Sequence, residues 1–140
     1  MSASINRDEL VSLAETARKG SHCPYSNISV GAALLTKSGR VYVGANIENA
    51  SFTPTVCAER VAFFKAISEG EREFSAIAIV GGKSECVPTK PFYPCGVCRQ
   101  VMTEFCKGDF KIFVFDGKET AEYSLSELFP HGFSSEAFDK

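Results

Sequence analysis

Two helices with a strand between them are predicted by residues 57–106, which read CAERVAFFKAISEGEREFSAIAIVGGKSECVPTKPFYPCGVCRQVMTEFC. Apolar residues recur at helical spacing over 57–68 and again over 96–106. The apolar run 76–80 is bounded by a Gly-Gly pair and is typical of a central strand. The core is expected to include the apolar residues of the first helix, which are Val61, Ala62, Phe63, Phe64 and Ile67.

The flanking sequence adds a helix and a hairpin before this stretch and a strand and a short helix after it. Residues 6–19 predict an amphipathic helix, capped by Asn6. Residues 28–35 and 41–45 alternate in the manner of strands and are separated by the turn Lys-Ser-Gly-Arg, which indicates a hairpin. Residues 111–115 predict a further strand, and 124–129 a last short helix.

Helices that alternate with apolar strands indicate an α/β fold. No repeat, low-complexity segment or linker divides the chain, so residues 1–140 are predicted to form a single domain. The expected architecture has three layers: a mixed β-sheet, antiparallel at the hairpin and parallel after it, flanked by helices. Parallel crossovers in this sheet would be right-handed.

Composition excludes several classes of protein. The 140 residues are 44% hydrophobic and 23% charged, close to the globular average and unlike a disordered chain. The net charge of −2 argues against non-specific nucleic-acid binding. No run reaches the roughly 18–20 apolar residues of a membrane span, and the polar segment 1–9 has no signal-peptide character. A cytoplasmic location is therefore expected, and the small size would permit nuclear presence.

Six cysteines in a reducing compartment are not expected to form disulfides. A secreted, disulfide-stapled fold is the alternative, but a chain of this length can bury a core without staples. Three of the cysteines stand outside any motif and are interpreted as packing residues: Cys23, Cys86 and Cys106. The histidines, His22 and His131, are interpreted as surface groups or neighbours of a site rather than as ligands.

The other cysteines lie in two short motifs, Cys57-Ala58-Glu59 and Pro94-Cys95-Gly96-Val97-Cys98, each at the start of a predicted helix. Free N–H groups and a partial positive charge at a helix N-terminus favour thiolates, which are good zinc ligands. Cys57 and Glu59 can approach one ion together only from the first turn of a helix. The helix should therefore begin near Cys57, with Thr55 as a candidate cap.

Counting ligands favours a catalytic zinc site over a structural one. A structural site is closed by four protein ligands, whereas these motifs supply three cysteines. Cys106 lies about 12 Å further along its helix than Cys98, too far to be a fourth ligand. An open fourth position is occupied by water in catalytic sites, and Glu59 beside it could move protons. Inert buried thiols and a purely structural zinc remain the alternatives.

The chain resembles the small, homotetrameric, zinc-dependent cytidine deaminases of pyrimidine salvage. The resemblance covers most of the sequence and rests on these motifs in order: Pro24-Tyr25-Ser26, Val30-Gly31-Ala32-Ala33-Leu34, Asn46-Ile47-Glu48-Asn49-Ala50, Cys57-Ala58-Glu59-Arg60 and Pro94-Cys95-Gly96-Val97-Cys98-Arg99-Gln100. It implies a cytidine-deaminase-like fold, one Zn²⁺ per subunit, a nucleoside substrate, and a homotetramer with shared active sites that binds no membrane.

The resemblance also implies a role for individual residues. Zinc ligands are expected at Cys57, Cys95 and Cys98, and the proton shuttle at Glu59. Substrate binding is expected at Asn46 and Glu48, which would bind the ribose hydroxyls, at Ala58, and at Phe133, which would pack on the base from a neighbouring subunit. Arg60 would donate to the ligand sulfurs. The family often has an aromatic residue where this chain has Ile28.

The expected reaction is hydrolysis of cytidine and 2'-deoxycytidine to uridine and 2'-deoxyuridine with release of ammonia. Zinc-activated water would attack C4 of cytosine, while Glu59 carries the water proton to N3 and then to the leaving ammonia. Alternatives are a zinc-stabilised binding protein without catalysis, or a deaminase of a polynucleotide or of a modified cytosine compound. A polynucleotide strand would need a basic track that this acidic chain lacks.

Overall fold

Five strands form the middle layer of the protein, in the order β2-β1-β3-β4-β5. The computed structural model describes residues 5–138. The strands are β1 (Ile28–Thr36), β2 (Val41–Ala45), β3 (Phe74–Lys83), β4 (Lys111–Phe115) and β5 (Thr120–Ser124). Only β3 and β4 pair in parallel, and the other neighbours are antiparallel. The predicted hairpin and the mixed sheet are therefore confirmed.

Helices cover both faces of this sheet. They are α1 (Arg7–Ala17), α2 (Ala58–Ser68), α3 (Gly96–Phe105) and α4 (Leu125–Leu128), with short 3-10 turns at Arg18–Gly20 and Ser135–Phe138. Successive strand residues point to opposite faces, so Ala33 packs with α1 while Ala32 and Leu34 pack with α2 and α3. This arrangement is the predicted three-layer α/β domain.

The two expected helix starts at the ends of the chain are confirmed by capping boxes. The Asn6 side chain accepts a hydrogen bond from the backbone N–H of Glu9 at 2.8 Å, and the Glu9 carboxylate accepts one from the N–H of Asn6. Ser124 and Glu127 form the same pair of bonds at the start of α4. Such reciprocal bonds satisfy backbone N–H groups that the helix itself leaves free.

The sheet is more extensive than the sequence pattern predicts. Strand β3 does not stop before the Gly-Gly pair but continues to Lys83, and Gly82 pairs with Ser29 of β1. Strand β5 is not predicted at all, because its sequence, Thr-Ala-Glu-Tyr-Ser, is short and mostly polar. It forms because β4 offers an unpaired edge, to which β5 adds as an antiparallel edge strand.

One predicted core residue and one predicted packing cysteine are exposed. Phe64 is 49% exposed, whereas Phe63 is 1% exposed, because neighbouring helical residues point about 100° apart. Cys86 lies exposed in the loop after β3, where no element covers it. Cys23 and Cys106 are half-buried, and His22 and His131 are exposed as expected.

None of the six cysteines forms a disulfide in the structure. Within residues 5–138, no helix has both the length and the apolar content needed to cross a membrane.

Candidate metal centre

Three cysteine sulfurs converge where the first turns of α2 and α3 meet. The Sγ atom of Cys95 lies 3.6 Å from that of Cys57 and 3.5 Å from that of Cys98. All three sulfurs lie within 4.8 Å of one another, and residues 5–138 contain no second such group of potential ligands. A tetrahedral Zn²⁺ with bonds of about 2.3 Å holds sulfurs roughly 3.8 Å apart. The spacing therefore fits a zinc ion.

Two of the cysteines are the N-cap residues of their helices. Cys57 precedes α2 and Cys95 precedes α3, and both have extended backbone conformations. Neither side chain caps its own helix, because both sulfurs are directed to the shared cluster. The predicted helix start near Cys57 is confirmed, but Thr55 is not its cap. The Thr55 hydroxyl instead accepts a hydrogen bond from the N–H of Asn49.

Arg60 contacts this cluster from the first turn of α2. Its Nη2 atom donates to the Sγ atom of Cys57 at 3.5 Å. Hydrogen bonds from the Cys98 thiol and from Arg60 lower the pKa of Cys57 to about 5. The Nε atom of Arg60 is buried without a hydrogen-bond partner among the described residues. The surroundings of Cys57 therefore favour its thiolate form, which is the form that binds a cation.

Glu59 is buried beside the sulfurs, with only 4% of its surface exposed. Burial, with a smaller contribution from the nearby Cys57, raises the pKa of Glu59 to about 7, and Arg60 opposes the shift. A carboxyl group with this pKa can accept and donate a proton near neutral pH, which general acid–base catalysis requires. Glu59 is not a member of the group of potential metal ligands, in keeping with a role other than ligand.

A cavity of about 180 Å³ extends from the sulfur cluster. Cys57, Ala58, Glu59 and Cys95 line one part of it. The remaining lining residues are polar or apolar groups from β1, β3 and the loops: Val30, Asn46, Glu48, Thr55, Val56, Ile79, Phe92 and Tyr93. The structure thus brings Asn46, Glu48 and Ala58, which the sequence analysis assigns to substrate binding, to the same cavity as Glu59.

Asn46 is anchored to the start of β1 by its side chain. Its Oδ1 atom accepts hydrogen bonds from the N–H of Val30 at 2.8 Å and from the Ser21 hydroxyl at 2.6 Å. Its Nδ2 atom donates to the carbonyl of Ile28 at 2.9 Å. A side-chain amide carries two N–H donors, so one of them remains for a ligand.

Glu48 is anchored to the preceding loop in a similar way. One carboxylate oxygen accepts hydrogen bonds from the N–H groups of Tyr25 and Ser26, and the other accepts from the Ser26 hydroxyl. The bond from the Ser26 hydroxyl is the largest of the effects that lower the pKa of Glu48. Since a carboxylate has about four acceptor positions, one position stays available for a hydroxyl group.

Phe133 does not reach the cavity of its own chain. It is 59% exposed, and its carbonyl accepts a hydrogen bond from the Gln100 side chain. Its ring packs edge-to-face on Phe138, with centroids 5.9 Å apart. Ile28 does not line the cavity beside the sulfurs either, but lines a neighbouring cavity.

Sequence reasoning missed the apolar wall of the cavity. Val30 and Ile79 come from β1 and β3, and Phe92 and Tyr93 come from the loop before α3. Phe92 and Tyr93 directly precede Pro94 and Cys95, so their proximity to the sulfurs is visible in the sequence. Which of their side chains points inward depends on the path of the loop, which has no periodicity to indicate it.

The sequence matches the family described as the cytidine and deoxycytidylate deaminase zinc-binding region over residues 4–114. The chain is similar to a cytidine deaminase from Halalkalibacterium halodurans, with 48% identity over 133 residues, 94% of this chain and 97% of the relative. It is also similar to a probable cytidine deaminase from Dictyostelium discoideum, with 40% identity over 94% of this chain and 88% of the relative.

Solved structures give the same result. The crystal structure of cytidine deaminase from Burkholderia pseudomallei has a TM-score of 0.84 with this chain and 41% sequence identity. The match covers 92% of this chain and 100% of that chain. The comparisons of sequence and of fold therefore both find cytidine deaminases.

Proposed function

Because the chain belongs to the cytidine and deoxycytidylate deaminase zinc-binding family, we propose that it hydrolyses cytidine and 2'-deoxycytidine to uridine and 2'-deoxyuridine with release of ammonia. The observation that supports this most strongly is the arrangement around one cavity. Three sulfurs suited to zinc lie beside a buried carboxyl group, and the same cavity reaches Asn46 and Glu48.

Cys57, Cys95 and Cys98 would hold one Zn²⁺ per subunit through their sulfurs. When bound, the ion supplies Lewis acidity that makes water nucleophilic near neutral pH. Three thiolates leave the centre with a formal charge of −1, which opposes that effect. Arg60 and the N-termini of α2 and α3 offset this charge, because each presents positive charge or N–H groups to the sulfurs.

Glu59 is the proposed proton shuttle. It takes one proton from the attacking water and delivers it to N3 of the cytosine. It then takes the second proton of that water from the new hydroxyl at C4 and delivers it to the amino group, which departs as ammonia while the C4 carbonyl forms. A pKa of about 7 lets the carboxyl group act in both directions. Its burial supports this role, because a dry site keeps the proton on the path between water and substrate.

Asn46 and Glu48 are proposed to bind the ribose hydroxyls. The free N–H of Asn46 would donate to one hydroxyl oxygen, and the remaining acceptor position of Glu48 would receive a hydroxyl hydrogen. Ala58 lies on the first turn of α2, where backbone N–H groups have no partner within the helix. We therefore assign the wall at Ala58 to substrate binding as well.

We also propose a cytoplasmic homotetramer with shared active sites. The Tyr25 and Phe52 rings pack edge-to-face at 5.9 Å beside Glu48, and Phe52 is 72% exposed. Exposed aromatic residues at the edge of a binding cavity favour contact with another protein surface. A Phe133 ring from a neighbouring subunit could then reach the base. Sedimentation analysis tests the assembly, and a monomer in solution would contradict it.

The deciding experiment combines metal content with turnover. The purified chain should contain one zinc per subunit and convert cytidine to uridine with an equal amount of ammonia. Glu59→Gln should retain the zinc and lose at least about a hundredfold in kcat. Glu69→Gln is the matched control, since Glu69 lies at the opposite end of α2. A zinc-loaded chain that releases no ammonia from cytidine would instead support the binding-protein alternative.

A further inference from the structure

Phe92 occupies a fixed place over strand β3. A Cβ atom built on Gly81 would lie 2.6 Å from Cγ of Phe92 and 2.7 Å from Cδ2, closer than side chains approach in proteins. The ring therefore takes the space that a side chain at position 81 would fill. Phe92 is half-buried and packs against the larger core cluster. Its position depends on the absence of a side chain at Gly81.

The same ring separates two cavities. On one side lies the cavity beside the sulfurs, which contains Glu59 and Asn46. On the other side lies a second cavity of about 390 Å³, mostly apolar in its lining, which reaches Ile28 and Lys83. Within residues 5–138, Phe92 is the one residue that lines both.

This geometry, together with the proposed function, limits what can contact the base of a nucleoside. The amino-bearing carbon must lie at the sulfurs and Glu59, and the ribose must lie at Asn46 and Glu48. The pyrimidine ring, which lies between these two groups of residues, has to pack against the apolar lining of the cavity. Phe92 offers an aromatic surface there, and aromatic contacts contribute beyond the area that they bury.

We propose that Phe92, held in place by the bare backbone of Gly81, is a specificity-determining residue that forms the wall against which the pyrimidine ring packs. The wall confines the ring to the cavity beside the sulfurs and denies it the larger space at Ile28. This inference rests on the proposed function for the identity of the ligand. The role of the Gly81–Phe92 contact follows from the geometry alone.

The first test removes the aromatic ring of Phe92 and then replaces part of its apolar volume. Phe92→Ala should raise KM for cytidine and the dissociation constant for uridine about tenfold, the change that corresponds to 1.4 kcal/mol. The kcat value should fall less than threefold, because the ring does not touch the reacting carbon. Phe92→Leu should recover part of the affinity. Phe64→Ala is the control, since Phe64 is 49% exposed on the opposite half of α2 from the cavity.

The second test uses the contact between the two residues. Gly81→Ala should weaken uridine binding and lower the Tm, because its methyl group collides with the Phe92 ring. The double variant Gly81→Ala, Phe92→Ala should recover Tm relative to Gly81→Ala and should bind uridine no more weakly than Phe92→Ala. Gly20→Ala is the control, because a Cβ atom there meets only Ala45 at an ordinary distance of 3.9 Å.

Failure of this inference differs from failure of the proposed function. If the unmodified chain releases no ammonia from cytidine, the proposed function fails, while uridine binding, measured by calorimetry, still reports on Phe92. An unchanged uridine dissociation constant in Phe92→Ala overturns the inference. So does a double variant in which the two substitutions act independently on affinity and Tm.

Discussion

Arg60 donates a hydrogen bond from Nη2 to the Sγ atom of Cys57, which lies three residues earlier at the start of the same helix. The guanidinium group is therefore directed to one of the three clustered sulfurs. Arg60 does not line the cavity that contains Glu59. The positive charge of Arg60 can therefore withdraw electron density from the sulfur, while the side chain does not contact a nucleoside in the cavity.

Replacing Arg60 with glutamine should therefore reduce kcat about tenfold to a hundredfold while zinc stays bound, in line with the loss of other groups that orient metal ligands. The neutral amide can still donate a hydrogen bond but no longer offsets the charge of the thiolates. Steady-state kinetics with cytidine and metal analysis of the same sample check this. Normal kcat with a large rise in KM would instead assign Arg60 to substrate binding.

Removal of zinc with a chelator should abolish turnover and lower the Tm by about 10 °C. Sulfurs 3.5–3.6 Å apart cannot all remain thiolates once the ion leaves, and the hydrogen bond to Cys57 raises the pKa of the Cys98 thiol. Tight binding of the ion adds about 4 kcal/mol to the free energy of unfolding. At this chain length, each kcal/mol shifts the Tm by roughly 2–4 °C. Calorimetry before and after chelation measures the change. Added Zn²⁺ should reverse it and Mg²⁺ should not, and recovery with Mg²⁺ would argue against a thiolate site.

Asn46→Ala should both destabilise the fold and weaken substrate binding. The substitution leaves the N–H of Val30 and the carbonyl of Ile28 without their partners, which costs about 1–3 kcal/mol. Urea unfolding and KM for cytidine measure the two effects. Asn6→Ala is a control for stability, because it removes a helix cap worth about 1 kcal/mol far from the cavity. A rise in KM of the same size in both variants would show that lost stability, not lost contact, is responsible.

Cys86 and Cys106 should differ in reactivity toward iodoacetamide. Burial raises the pKa of Cys106 from 9.0 to about 12, whereas Cys86 is exposed. At pH 8 the folded, zinc-loaded protein should therefore be alkylated at Cys86 and protected at Cys106. Mass spectrometry of the digested protein identifies the modified thiols.

The raised pKa also makes a prediction for stability. The neutral Cys106 thiol contributes fully below about pH 9, and the contribution is lost as pH rises toward 12. Stability should therefore fall less steeply over this interval in Cys106→Ala than in the unmodified chain. Equal slopes, or rapid alkylation of Cys106 in the native state, would contradict its burial.

The sequence predicted the larger elements correctly where the apolar periodicity and the signals at the element boundaries agree. The hairpin, the central strand and the starts of α2 and α3 were expected because each has a clear apolar period and a turn or motif at its boundary. Strand β5 was missed, since an edge strand needs only a partner and carries little apolar signal. Gly81 and Gly82 looked like the end of a strand, although glycine there makes room for Phe92 and for Arg18.

The candidate site also combines residues that local motifs predict with residues that they do not. The motifs predict a zinc site at the three sulfurs and proton transfer at Glu59, because ligand type and helix position are local properties of the chain. Phe92 and Tyr93 were not recognised as cavity walls, and Ile28 proved to line the neighbouring cavity. Those facts depend on where a loop without periodic sequence crosses the sheet.

Which residues can hold a cation or carry a proton was predictable from the amino-acid sequence, since thiol and carboxyl chemistry and their spacing along a helix are set by the covalent chain. The folded chain alone shows which phenylalanine is core and which is surface, and which aromatic ring bounds the cavity. A side chain's neighbours depend on the packing of distant segments. The contact between Gly81 and Phe92, eleven positions apart, exists only after strand and loop have folded together.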